Sequence, residues 1–362
     1  MSNIKKIFVE LAVFLFIVVS AFFIIRKFFY RQKTVNILSW VGTFDHNVIS
    51  RFENETGIKV NLLSYSTNEE LISKLLFSGG KGIDLIVPSD YVLDVLRSNE
   101  LIAPIDRLKV KNLSLLYLKL VTDAIYKGKL YGIPIEWNIY GLAANKKASN
   151  AFKSTRELCQ SFFSGNGIVD SMGLKICMTN DPLTAINLVV RYYEEFFHNK
   201  IADNSALFTI IYEILKKQKR NVRIYSDMKI AYLFKTEAVD ISCVHTCEYL
   251  MSLKDNPNLK FYFFPFGIVK SVEYMSILKN AVNVSEAYEF MNYILRPLSM
   301  IANHETSFSL PVSDAVIDDL QYSEELKEIV EEALFSKNRS FRITEFLDET
   351  ERLRLWMMLK VL

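Results

Sequence analysis

From Thr34 onward the apolar positions fall into two rhythms. Val35, Ile37 and Leu38 read as a short buried strand, Val48, Ile49 and Phe52 recur at helical spacing, and Ile58, Val60 and Leu62 alternate as a second strand. Gly57 stands where a helix C-cap belongs. Strand, helix, strand predicts a parallel βαβ unit with a right-handed crossover. In such sheets ligands bind beyond the carboxyl ends of the strands. The loop 39–45 lies there and carries Trp40, so Trp40 is expected to touch a ligand.

The same rhythms continue. Asn68 is placed to cap a helix with Leu71, Ile72, Leu75 and Leu76 on one face, ending at Gly79. Residues 83–87 read as a central strand, and Ser89 or Asp90 can cap a helix over 91–97. KGKLYGIPI (127–135) reads as a small hairpin leading to Glu136 and Trp137, with a separate strand at 142–145. A strand at 174–178 runs into Asp181-Pro182, a cap followed by a first-turn proline, and a helix to about Phe197. Further helices are expected over 206–218, 228–234 and 247–253, with strands at 238–244, 259–265 and 274–278. A helix over 285–295 is stopped by Pro297, and helices over 323–334 and 344–359 close the chain.

Length and composition narrow the function. The chain has 362 residues, half of them hydrophobic, enough for two lobes with sizeable cores. Net charge is +2, which argues against a nucleic-acid partner. Residues 7–25 are apolar apart from Glu10 and Ser20, just the length of a membrane span. We read residues 1–33 as an uncleaved anchor rather than a signal peptide cut near Val19-Ser20-Ala21, because cleavage there leaves an apolar free end. Arg26, Lys27, Arg31 and Lys33 follow this span and only Lys5 and Lys6 precede it, which by the positive-inside rule keeps the body inside. The four cysteines, Cys159, Cys177, Cys243 and Cys247, are too few for a disulfide scaffold, and their pairing is open. Cys243-Val-His-Thr-Cys247 does not have the spacing of a common zinc half-site and no second half is evident, so no metal and no cofactor are expected. No nucleophile elbow, P-loop, dinucleotide fingerprint or zincin motif occurs, which argues against an enzyme. Asp181 with His245 is the one convergent catalytic pair that can be proposed.

Five stretches together resemble the bacterial spermidine/putrescine-binding proteins, the periplasmic receptors of polyamine ABC transporters. They are ILSWVGTFDHNVISRFENETGIKV, DLIVPSDYVLDVLRSNELIAPID, YGIPIEWNIYGLAANK, FMNYILRP and HETSFSLP, in family order over nearly all of residues 34–316. The resemblance implies an α/β, two-lobed type II periplasmic-binding-protein fold, each lobe an open, mostly parallel sheet flanked by helices. We assign 34–142 plus 272–316 to lobe 1 and 143–271 plus 317–362 to lobe 2. It also implies a body in the periplasmic space, tethered to the inner membrane by the N-terminal helix, that captures a polyamine in its cleft and delivers it to the ABC permease. A receptor-fold protein with a different small ligand, or with a sensory role, is the alternative.

The resemblance carries over residue by residue. Trp40 matches the family's cleft Trp, Ser89 and Tyr91 its Ser-x-Tyr pair, Asp181 an acidic cleft position, and Trp137 a Trp bordering the cleft. Polyamines need carboxylates for their ammonium ends and aromatic faces for the stem. Here the sequence departs from the family. Its Thr-Glu-Tyr after the first Trp is Val41-Gly42-Thr43, leaving Thr43 without the acid. The acid one turn after Asp181 is Thr184, and a second-lobe cleft Trp is His245. The late Trp-x-Asp falls at Val272-Glu273-Tyr274, where Glu273 replaces the acid if the register shifts by one. The late cleft Tyr aligns with Phe308. Glu136 is a spare carboxylate able to compensate.

Overall fold

The computed structural model describes residues 32–361 apart from 166, 199–203, 228 and 337–338, together with the isolated positions Leu15 and Ser20. The expected N-terminal anchor lies almost wholly outside the described residues. Among the described residues no helix is long and apolar enough to cross a membrane.

Strand β1 (Thr34–Trp40), helix α1 (His46–Thr56) and strand β2 (Lys59–Tyr65) form the parallel unit, with Val35 opposite Val60 and Leu38 opposite Leu63. Helix α1 starts where Asp45 accepts the amides of Asn47 and Val48, and it ends where Gly57 turns left-handed at φ 71°. Val48 and Phe52 are its buried face. Helix α2 (Asn68–Ser78) is capped by Thr67 rather than by Asn68, whose side chain points elsewhere. Strand β3 (Leu85–Ile86) lies parallel to β1 and leads into α3 (Asp90–Ser98).

A hairpin of β4 (Ile125–Tyr126) and β5 (Lys129–Leu130) precedes β6 (Ile133–Ala144). The hairpin and separate strand read from the sequence are thus one long strand after a shorter hairpin. The buried alternation Trp137, Ile139, Gly141 and Ala143 runs through the glycine, which leaves room for the ring of Phe261. Next come β7 (Ile176–Met178), α4 (Pro182–Phe197), α5 (Asn204–Lys219), β8 (Val222–Tyr225), β9 (Ile241–His245), α6 (Thr246–Leu253), β10 (Lys260–Tyr262) and β11 (Ile268–Ile277). Pro297 does not merely stop α7 (Val284–Ile294). It is the first-turn proline of a further helix, α8 (Pro297–Ser307). Helix α9 (Ser323–Phe335), β12 (Ser340–Arg342) and α10 (Glu349–Val361) complete the chain.

Apart from the separate β4-β5 hairpin, the strands form one mixed sheet in the order β2-β1-β3-β11-β6-β9-β7-β8, with β10 on β6 and β12 on β11. At one end β1, β2 and β3 are parallel, and at the other β7, β8 and β9 are parallel. The antiparallel pair β6 and β11 joins the two halves. The buried side chains gather in two apolar clusters, the first reaching from β1 to Val244 of β9 and Leu250 of α6. One contains Phe44, Phe52 and Phe290, which meet edge to face, and the other contains Phe162, Phe163 and Tyr192.

Asp84 ties the first half together. Its buried carboxylate accepts from the backbone and side chain of Asn36 and from Val282 and Asn283, at 2.9–3.0 Å. These bonds outweigh burial and hold its pKa below the usual carboxylate range. The stability it contributes is therefore present above the unfolded-state value of 3.8 and lost as the pH falls through its lower folded value. Asp84→Ala leaves several buried donors without an acceptor, and we expect a loss of about 2 kcal/mol in urea denaturation. A loss under about 0.5 kcal/mol contradicts this role.

Candidate ligand-binding cleft

The carboxyl ends of the parallel strands from both halves converge on one cavity of about 620 Å³. Trp40 is the last residue of β1, Ser89 follows β3, Asp181 follows β7, Asp227 follows β8 and His245 ends β9. This is where open α/β sheets place their ligands.

On the first side, Trp40 Nε1 donates to Glu273 Oε2 at 2.9 Å, and Ser89 Oγ donates to both oxygens of Glu273 at 2.9 and 3.0 Å. Ser271 Oγ approaches the same carboxyl at 3.3 Å. Asn68 donates to Ser89 Oγ at 3.2 Å and to the Tyr91 hydroxyl at 2.7 Å, which explains why Thr67 caps its helix. Tyr65 tilts against Trp40 with ring centroids 4.7 Å apart.

The joining strands present alternate residues to the cleft. On β6 these are Glu136, Asn138 and Tyr140, and on β11 they are Ser271 and Glu273. Glu136 pairs directly with Glu273 across the ladder, beside a bulge where Tyr274 pairs with Pro134. Burial pushes the Glu136 carboxyl up to about 7. Burial, with the facing Glu136 next in weight, pushes Glu273 to about 8. Two carboxyl groups therefore face each other with little to neutralise them.

The second side is built by α4 and α6. Asp181 caps α4, taking the Leu183 amide at 3.2 Å and the Thr184 amide and hydroxyl at 2.9 and 2.6 Å. Tyr140 bridges inward, with its hydroxyl 3.0 Å from Thr184 Oγ1 and its ring 3.9 Å from that of His245. Burial lowers His245 to about 4 and raises Glu248 to about 8. Asp227, raised by burial, accepts from Thr179 and from the Asn180 amide. At the rim Arg352, on α10, lies 3.2 Å from Glu345 and 4.0 Å from Glu69 on α2.

Of the residues expected from the sequence, Trp40, Ser89, Tyr91, Asp181, His245 and Glu273 line this cavity. Four others do not. Trp137 is fully buried on the opposite face of β6, and its Nε1 donates to the Pro311 carbonyl at 2.7 Å. Tyr274 is fully buried behind β11, bonded to the Leu120 carbonyl at 2.8 Å. Thr43 folds back onto the Trp40 carbonyl at 3.1 Å, and Phe308 ends α8 in a left-handed turn at φ 56°. Strand alternation is the cause for Trp137 and Tyr274, since the neighbours Glu136 and Glu273 take the cleft side. The same alternation would have singled out Asn138 and Tyr140, which were not named. Asp227 and Glu248 carried no such signal. Asp181 is bonded to the start of α4, and the Nε2 of His245 has no hydrogen-bond partner.

A profile of the family described as bacterial extracellular solute-binding protein matches residues 47–328. Among curated relatives, the chain is 26% identical over 290 residues to the putrescine-binding periplasmic protein PotF of Escherichia coli, covering 75% of this chain and 76% of the relative. It is 22% identical over 268 residues to the spermidine/putrescine-binding periplasmic protein of Salmonella typhimurium, covering 74% of each. Among solved structures, the spermidine/putrescine substrate-binding protein PotD of Streptococcus pneumoniae superposes with a TM-score of 0.72 at 20% identity, over 91% of this chain and 99% of that one. A second solved structure, of an ABC transporter protein from Listeria monocytogenes, gives 0.73 at 22% identity, over 91% and 99%. The architecture is the type II periplasmic binding fold.

Proposed function

The chain belongs to the bacterial extracellular solute-binding proteins, and from that premise we propose that it is the polyamine receptor of an ABC transporter. It captures putrescine or spermidine in the cleft, outside the cytoplasmic membrane, and delivers it to the membrane permease. Residues 1–33 serve as the tether, and the lobes that close on the ligand are 34–142 plus 272–316 and 143–271 plus 317–362.

The observation that carries this reading is the set of carboxyl groups in the cavity wall, able to ionise against a bound cation. Glu136 and Glu273 on the joining strands, Asp181, Asp227 and Glu248 on the second side, and Glu69 and Glu349 at the rim oppose, among the described residues of the lining, the one guanidinium of Arg352. A cavity walled this way favours a cation of more than one charge. Trp40, Tyr91 and Tyr140 add aromatic faces suited to a methylene stem and to ammonium groups. The carboxylate missing after Trp40 is thus made up by Glu136 and Glu273. Calorimetric titration with putrescine and spermidine tests the assignment. Micromolar or tighter binding, about −8 kcal/mol, is expected, and no heat at millimolar ligand would sink the polyamine reading.

The raised carboxyl groups predict a pH dependence. Their folded values of about 7 and 8 lie above the ordinary 4.5. Below that ordinary value their contribution to stability is complete, and it is lost as the pH rises toward 7–8. A bound dication restores it by pairing with the ionised forms. The rise in Tm caused by putrescine should therefore grow from pH 6 to pH 9, with protons released on binding. A thermal shift that is flat or falls over that range contradicts the pairing.

A further inference from the structure

Where β9 turns into α6, one imidazole nitrogen of His245, the thiol sulfur of Cys247 and a carboxylate oxygen of Glu248 lie within 4.8 Å of one another. His245 and Glu248 line the cleft, and His245 Nε2 is buried with no hydrogen-bond partner. Glu248 uses Oε2 to accept the His245 amide at 3.0 Å, a bond that does not engage its second oxygen. Cys247 is a free thiol, partly exposed. We infer that these three side chains form a binding site for a soft divalent cation of the zinc class, with one coordination position open to the cleft.

The donor set makes the choice of cation. Thiolate and imidazole select zinc or cobalt over magnesium or calcium, and three protein ligands with an open position are a common zinc arrangement. Ligand atoms around tetrahedral zinc stand roughly 3.3–3.8 Å apart, given bonds of ~2.0–2.3 Å. The cluster, already within 4.8 Å, lies about an ångström outside that spacing. A thiol must lose its proton to ligate a metal, so affinity rises with pH. Glu136 faces Cys247 from β6, and Asp227 faces Glu248 from the loop after β8, both adding to the attraction for a cation. The sequence pairs the wrong residues. Cys243 and Cys247 invite comparison, yet Cys243 is a buried strand residue outside the cluster.

The inference stands apart from the polyamine reading, and its test needs no polyamine. The full chain is titrated with Zn²⁺ by calorimetry and with Co²⁺ by absorption spectroscopy. One equivalent is expected to bind, more tightly at pH 8 than at pH 6, and Co²⁺ should show a thiolate charge-transfer band in the near ultraviolet. Cys247→Ser should abolish that band and weaken Zn²⁺ at least tenfold, and His245→Gln and Glu248→Gln should each weaken it. Cys243→Ser should change neither. Thermal unfolding checks that each variant is folded, and His245→Gln and Glu248→Gln decide the matter if Cys247→Ser is not. No uptake at millimolar metal, uptake without the thiolate band, or uptake equal in the wild type and the folded variants overturns the proposal.

Discussion

Replacing Glu273 by glutamine is expected to weaken putrescine binding by roughly ten- to a hundredfold while leaving the empty protein as stable as before. The expectation follows from what surrounds the carboxyl. Trp40 Nε1, Ser89 Oγ and Ser271 Oγ hold it in place from three elements, at 2.9, 2.9 and 3.3 Å. Glutamine keeps an acceptor for those donors but removes the charge. A hydrogen bond to a charged group contributes about 1.5–3 kcal/mol, which sets the size of the effect. Stability should hold because burial already keeps the empty carboxyl mostly neutral at pH 7, its own value being about 8. The upper step of the putrescine-dependent thermal shift should vanish with it, leaving the Glu136 step near 7. Calorimetry at pH 7.5 on wild type and Glu273→Gln decides the point. Unchanged affinity shows that the ammonium group lies elsewhere. A large fall in the Tm of the empty protein shows that Glu273 acts through structure instead.

Much of this was legible in the sequence because local chemistry and tertiary structure agree there. The β1-α1-β2 unit is written in alternation, a cap at each end and a left-handed glycine, and the structure follows it. Pro297 misleads because proline both ends one helix and suits the first turn of the next, and only the path of the chain decides between these. The joining strands were harder. β6 and β11 pass between two cores and change surroundings along their length, so each reads as fragments. The cleft was legible where a loop follows a parallel strand, as at Trp40, Ser89, Asp181 and His245. It was least legible on those joining strands, where adjacent residues face opposite ways. Trp137 and Tyr274 attract attention by their size, yet the shorter carboxyl side chains beside them face the cavity. Asp227 lies in a short polar stretch after β8, and nothing in its neighbours marks it until β7 and β8 pair.

Trp137→Ala should separate these two faces of β6 most sharply. Trp137 is the largest fully buried side chain in the first cluster. Its indole donates to the Pro311 carbonyl, while its backbone exchanges hydrogen bonds with Leu310 at 3.3 and 2.8 Å. It therefore pins the segment after α8 against the joining strand. Truncation removes that packing, opens a cavity and leaves a buried carbonyl without its donor. Such changes cost about 3–5 kcal/mol. The loss is expected in urea denaturation, with the transition moved to lower urea and the slope kept. Because the indole faces away from the cleft, whatever remains folded at low temperature should bind putrescine within about threefold of wild type, under 1 kcal/mol. A ligand contact would give the reverse pattern, with affinity lost and stability nearly kept. That outcome would place the indole in the cleft and invert the facing assigned here to every residue from Glu136 to Tyr140.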